Sequence, residues 1–138
     1  MRHRVSIESR DSAEVASRAI QWADGAFRVA QLPERTRLEL HLALDEIVTN
    51  VARYAYADGD PRSIALSMTR EPGTLRLVVS DAGRPFNPLR HVYMPDGVAL
   101  EDRRVGGLGI FLVTQVVDQV RYRRRNGRNT LTLVKRVP

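Results

Sequence analysis

The chain is 138 residues long, enough for one domain with a core of its own. It has no cysteine, which excludes disulfide and thiolate-metal frameworks, and its three histidines (His3, His41, His91) lack metal-ligand spacing. With 43% apolar and 28% charged residues it has an ordinary globular balance, and its +6 charge fits either a polyanionic partner or a plain arginine bias, since Lys135 is the single lysine.

No apolar run approaches the ~18 residues of a membrane span, and the N-terminus lacks a signal-peptide core. A soluble, cytoplasmic protein with no membrane contact is expected.

In chain order, Val5 and Ile7 alternate with polar neighbours and predict a first strand. Ser12 is the expected N-cap of a helix carrying Val15, Ala16, Ala19, Ile20 and Ala23, which ends or loosens near Gly25. Pro33 suits the first turn of a second helix, with an apolar stripe through Leu38, Leu42, Leu44, Ile47, Val48 and Val51 that runs to Tyr54 or Tyr56. Two antiparallel strands follow, one through Ile64, Leu66 and Met68 and one through Leu75, Leu77 and Val79, closed by Asp81-Ala82-Gly83. Residues 84–105 lack periodicity and are expected to be a mobile loop with a short helix, a length that usually signals function or disorder. Leu108–Val117 reads as a helix entered through glycines, and Asn126-Gly127 as the turn of a final hairpin. These elements predict an α+β fold: a two-layer α/β sandwich, one mainly antiparallel sheet with helices on one face, as a single domain over 1–138.

Three constellations carry chemistry. Glu46 and Asn50 are four apart and share a helix face. They are either a polar stripe facing solvent, or a carbonyl oxygen for Mg²⁺ with a proton acceptor one turn away. Asp81-x-Gly83-x-Pro85-Phe86 is either a plain turn, or a carboxylate placed for an amino group such as that of adenine beside a glycine that allows close approach. Gly106-Gly107-Leu108-Gly109 opens a helix whose N-terminal N–H groups favour anions; it is not a P-loop, because no Gly-Lys-Ser/Thr follows.

In this order the three motifs resemble the N box and the two glycine boxes of the GHKL ATPase/kinase superfamily, which includes gyrase B, MutL and histidine kinases. The stretches "LALDEIVTNVARYAY", "VVSDAGRPFNP" and "GGLGIFLVTQVVDQVRY" are most similar to the bacterial anti-sigma-factor serine/threonine kinases of the RsbW and SpoIIAB type. The resemblance implies the Bergerat-type ATP-binding fold, ATP and Mg²⁺ as cofactors, and protein serine/threonine kinase activity. It implies Glu46 as catalytic base, Asn50 as Mg²⁺ ligand, Asp81 on the adenine amino group and Gly83 giving the ring room. Gly107, Leu108 and Gly109 would face the phosphates, and Thr130 would lie near the adenine. Residues 84–105 would be the ATP lid, from which Arg103 and Arg104 reach the phosphates. Implied partners are an anti-sigma antagonist with a STAS domain, which is phosphorylated on Ser or Thr, and a sigma factor that is sequestered when the protein is free. A homodimer is implied too. The alternative is a non-catalytic, ATP-dependent partner-switching module. Members of this branch often have histidine four residues after the N-box asparagine; here that position is Tyr54. Direct nucleic-acid binding has no support beyond the arginines of 121–128.

Overall fold

The structure, a computed structural model, describes residues 1–91 and 105–138. For residues 90, 91 and 105–110 it describes the backbone alone. The elements are β1 (Arg2–Ser9), α1 (Ser12–Val29), α2 (Glu34–Tyr54), β2 (Arg62–Glu71), β3 (Thr74–Asp81), a 3₁₀ turn (Pro88–His91), α3 (Val105–Val116), β4 (Gln119–Arg125) and β5 (Arg128–Arg136). All strand pairs are antiparallel, in the order β1-β2-β3-β5-β4. This is the expected α+β sandwich.

Alternation assigns the two faces of the sheet. Ile7, Ile64, Leu66, Met68, Leu75, Leu77, Val79, Leu131 and Leu133 are buried, while their strand neighbours are not. The buried row packs against Val15, Ala19, Ala23 and Phe27 of α1 and Leu40, Leu44, Ile47 and Val51 of α2. The helix layer thus covers one face, and among the described residues the other is left open.

Local details differ from the sequence reading in physically clear ways. The N-cap of α1 is Asp11, whose Oδ1 accepts from the N–H groups of Ala13 (2.9 Å) and Glu14 (3.4 Å), so Ser12 is already helical. Helix α1 passes through Gly25 without a break. Burial of Ala26 and Phe27 outweighs the helix cost of about 1 kcal/mol for one glycine. The left-handed residue that ends α1 is Gln31 (φ 57°), with Leu32 N–H bonded to Phe27 O and Gln31 N–H to Arg28 O. Pro33 takes the N-cap position of α2, one place before the first turn. Leu38 and Leu42 face solvent, whereas Leu40, which the stripe did not include, is buried. The Asn126-Gly127 hairpin is as expected, with φ of 53° and 73°, the primed turn that matches strand twist.

The C-terminal end of α2 is held by a buried arginine. Arg62 is 5% exposed; its Nε donates to Ala52 O (2.6 Å) and its Nη1 to Asp60 O (2.7 Å) and Arg10 O (3.2 Å). A cation against the last carbonyls of a helix complements the helix dipole. It fixes the end of α2 that carries the site described next.

Candidate functional site

The site forms where the C-terminal half of α2 meets the turn after β3. On α2, Asn50 is buried (6% exposed) and Glu46 half-buried, and Asn50 Nδ2 donates to Glu46 Oε1 at 3.3 Å. The helical i,i+4 spacing has brought the pair together as expected. Desolvation raises the Glu46 pKa above the usual carboxylate value; the hydrogen bond from Asn50 opposes this, Asp45 adds to it and Arg53 opposes it. Asn50 Oδ1 takes part in no hydrogen bond among the described residues, which leaves a neutral oxygen ligand for a hard cation.

Asp81 is the last residue of β3 and is 2% exposed. Its Oδ1 accepts from Gly83 N–H (2.9 Å) and Asn129 Nδ2 (2.9 Å), while Oδ2 takes part in neither bond. Burial pushes the Asp81 carboxyl up from its ordinary pKa. The bonds from Asn129 and Gly83 and the charges of Arg124 and Arg128 pull it partly back. A buried carboxylate with one oxygen fixed and the other in no hydrogen bond among the described residues fits recognition of a single amino group.

The turn is bolted on every side. An ideal Cβ on Gly83 would lie 2.2 Å from Ala55 O, so the space a side chain would need is filled by the end of α2 rather than left open for a ring. Arg84 N–H donates to Ala55 O (2.8 Å) and Arg84 Nε to Tyr54 O (2.7 Å). Tyr56 Oη accepts from Ala82 N–H (3.0 Å) and donates to Ser63 O (2.6 Å). Arg124 Nη1 donates to Gly83 O (2.7 Å). The Tyr54 ring lies against Phe86, with centroids 6.0 Å apart.

Asn129 is the hub that sequence reasoning missed. It is 3% exposed and uses its full hydrogen-bonding capacity. Nδ2 donates to Asp81 Oδ1 and Arg84 O (2.8 Å), and Oδ1 accepts from Phe86 N–H (3.2 Å) and Tyr122 Oη (2.5 Å). Asn129 pairs with Asp81 across β3 and β5, and Thr130 pairs with Ser80. Thr130 therefore lies on the open face, away from the Asp81 carboxylate, and the structure does not bring the two together. The signal was present in the alternation: Asn129 shares parity with Leu131 and Leu133, and a slip of one residue moves a strand's side chains to the opposite face.

Gly106, Gly107, Leu108 and Gly109 fall inside α3, which begins at Val105. Helix geometry leaves the N–H groups of its first four residues without intrahelical partners. Gly107 and Leu108 are among these, and Gly109 is one position further in. Arg103 and Arg104 lie outside the described residues, as does most of the expected lid. His41 Nδ1 contacts Asp24 Oδ1 (2.9 Å) between α1 and α2, removed from this site. Among the described residues no cluster of three or more His, Cys, Asp or Glu side chains could hold a metal, and no helix is long and apolar enough to cross a membrane.

The helix-on-sheet fold and this arrangement define a histidine kinase-like ATPase domain, and the chain belongs to that family, whose model matches residues 9–135. Among individual proteins, it is similar to the serine/threonine-protein kinase BtrW of Bordetella bronchiseptica, at 28% identity over 128 residues that cover 93% of this chain and 90% of BtrW. It also matches the serine-protein kinase RsbW of Halalkalibacterium halodurans, at 28% identity over 93 residues, 64% of this chain and 56% of that protein. Among solved structures, the RsbU and RsbW domains of Rv1364c from Mycobacterium tuberculosis superpose with a TM-score of 0.63 at 16% identity, covering 96% of this chain and 32% of that one. That likeness shows the fold.

Proposed function

We propose that the chain is a protein serine/threonine kinase that transfers the γ-phosphoryl group of Mg-ATP to a Ser or Thr of an anti-sigma antagonist carrying a STAS domain. When free of the antagonist it sequesters a sigma factor, acting as a homodimer in the cytoplasm. The observation that carries the reading is the pair of unclaimed oxygens, Asn50 Oδ1 and Asp81 Oδ2, on the two sides of one rigid junction, with Glu46 hydrogen-bonded to Asn50. Support comes also from the kinase names of BtrW and RsbW.

Each residue then has a defined task. Asp81 Oδ2 accepts from the adenine amino group, and the Asn129 hub holds that oxygen in place. Asn50 Oδ1 holds Mg²⁺, which when bound neutralises phosphate charge. The unpartnered backbone N–H groups of Gly107 and Leu108 and the guanidinium of Arg104 bind phosphate oxygens, and Gly109, whose N–H lies one position into the helix ladder, lets the backbone approach them closely. Glu46 accepts the proton of the attacking hydroxyl. Desolvation raises its pKa, which makes it a stronger base than an exposed carboxylate.

The test is phosphotransfer to the STAS-domain protein encoded nearest to this one. Glu46→Gln should keep ATP affinity while lowering the transfer rate by about 10²–10⁴-fold, the usual range for a general base. Equal rates in variant and wild type would remove Glu46 from the base role. A second reading, a partner-switching module that binds ATP but transfers no phosphate, draws on Tyr54. Its ring packs on Phe86 and cannot carry the positive charge of a histidine. It predicts no phosphorylated antagonist, and partner binding that is unaffected by Glu46→Ala.

A further inference from the structure

Among the described residues nothing covers the sheet face opposite the helices, and that face is strongly basic. Arg2 and Arg4 stand on it at the β1 edge, and Arg121 and Arg123 at the β4 edge; all four are exposed. Arg76 stands between them on β3. None of these five takes part in an ion pair among the described residues, where the three pairs found involve Arg18, Arg35 and His41. The acidic residues of this face, Glu8 and Glu71, lie at strand ends, and Asp118 at its margin is engaged by Arg136 N–H.

Between the two arginine edges the surface changes character. Register places Ser67, Val78 and Thr132 in one row between Arg4 and Arg121, and Ala65, Ser80 and Thr130 in the next row towards Arg123. These side chains are small and half-buried. The result is a trough with cationic walls and, in these two rows, a floor of methyl and hydroxyl groups, with Arg76 standing at one end and Arg128 Nε donating to Ser80 Oγ (3.0 Å) at the other. Two concavities, of about 740 and about 360 Å³, lie in it. Five strands at about 4.8 Å spacing set the walls about 19 Å apart, and an α-helix with its side chains is about 10–12 Å across.

We propose that this face docks an acidic protein segment: an amphipathic helix whose small apolar stripe rests on Ala65, Val78 and Val134 and whose Asp and Glu flanks meet the arginine walls. Charge complementarity selects an acidic occupant. The apolar floor and the lack of any aromatic side chain on this face among the described residues favour protein over nucleic acid, which would use stacking platforms or a continuous basic track. A second copy of the chain would set arginine against arginine. The surface is separate from the nucleotide site, because Asp81 and Asn129 point to the other side of the sheet.

The experiment uses the full chain and a 20-residue helical peptide with an Ala/Leu stripe flanked by glutamates, followed by fluorescence anisotropy. Binding should weaken at least about tenfold in Arg4→Glu/Arg123→Glu, as expected when attraction becomes like-charge repulsion. ATP affinity and Tm should stay at wild-type values. Arg28→Glu/Arg35→Glu, the same charge change on the helix layer, should bind like wild type. Equal loss in both double variants, no peptide binding at all, or tighter binding of duplex DNA than of the peptide at 150 mM salt would each overturn the proposal. So would self-association of the wild type that Arg4→Glu/Arg123→Glu abolishes. Phosphotransfer is assayed separately, so its failure would leave this result standing.

Discussion

Asp81→Asn should weaken ATP binding by about 10- to 150-fold, the worth of one hydrogen bond to a charged group, without lowering the stability of the ligand-free protein. The geometry fixes both halves of this result. Gly83 N–H and Asn129 Nδ2 are donors that hold Oδ1, so an asparagine must present its own oxygen to them. Its NH₂ group then takes the place of Oδ2 and faces the adenine amino group donor to donor. Stability is spared because both internal bonds survive and a desolvated charge is removed.

The pH dependence follows from the raised Asp81 pKa. The folded state binds this proton more readily than the unfolded chain does. The stability cost of the buried charge is therefore full above the folded-state pKa. It is relieved as pH falls through that value, and is gone below the unfolded value near 3.8. The variant's stability advantage should shrink over the same acid window. ATP affinity of the wild type should fall there as well, because the protonated carboxyl can no longer serve as the ionised acceptor. Isothermal titration and urea denaturation across pH check these expectations; a variant that binds ATP like wild type would contradict the role of Asp81.

Gly83→Ala should destabilise the protein by about 3 kcal/mol, the upper range for overpacking, and lower Tm by about 10 °C. The new methyl would sit 2.2 Å from Ala55 O and 2.8 Å from Ala55 C and Cβ. Two of these three atoms are backbone, so no side chain can swing aside. The turn must leave α2, which breaks the Arg84 N–H bond to Ala55 O and moves Asp81 with it. ATP affinity should therefore fall together with stability. Gly25→Ala is the control, because it adds a methyl in open space inside α1 and should stabilise by up to about 1 kcal/mol. Calorimetric unfolding of both variants decides, and an unchanged Tm in Gly83→Ala would contradict the close approach.

The two glycines also show what the sequence could reveal. Gly83 stood out because it sits two residues after an acid at a strand's end, but its reason, the approach to Ala55, depends on two segments far apart in sequence. Gly25 suggested a break that tertiary burial overrides, while the real left-handed residue, Gln31, carries no sequence signal. Strands, hairpin and helix stripes were legible because alternation and helical spacing are local. Glu46 and Asn50 were legible as a pair for the same reason. The Asn129 hub was not, since it joins β5 to the turn after β3. Even so, the parity of Asn129 with Leu131 and Leu133 placed it on the Asp81 side and Thr130 on the other.

The most direct measurement is a crystal structure with Mg²⁺ and a non-hydrolysable ATP analogue. The adenine amino nitrogen should lie about 3 Å from Asp81 Oδ2 and Asn50 Oδ1 about 2.1 Å from Mg²⁺, with Glu46 facing the γ-phosphate. A nucleotide bound elsewhere, such as among the arginines of the open sheet face, or a Mg²⁺ that Asn50 does not touch, would rule out this site.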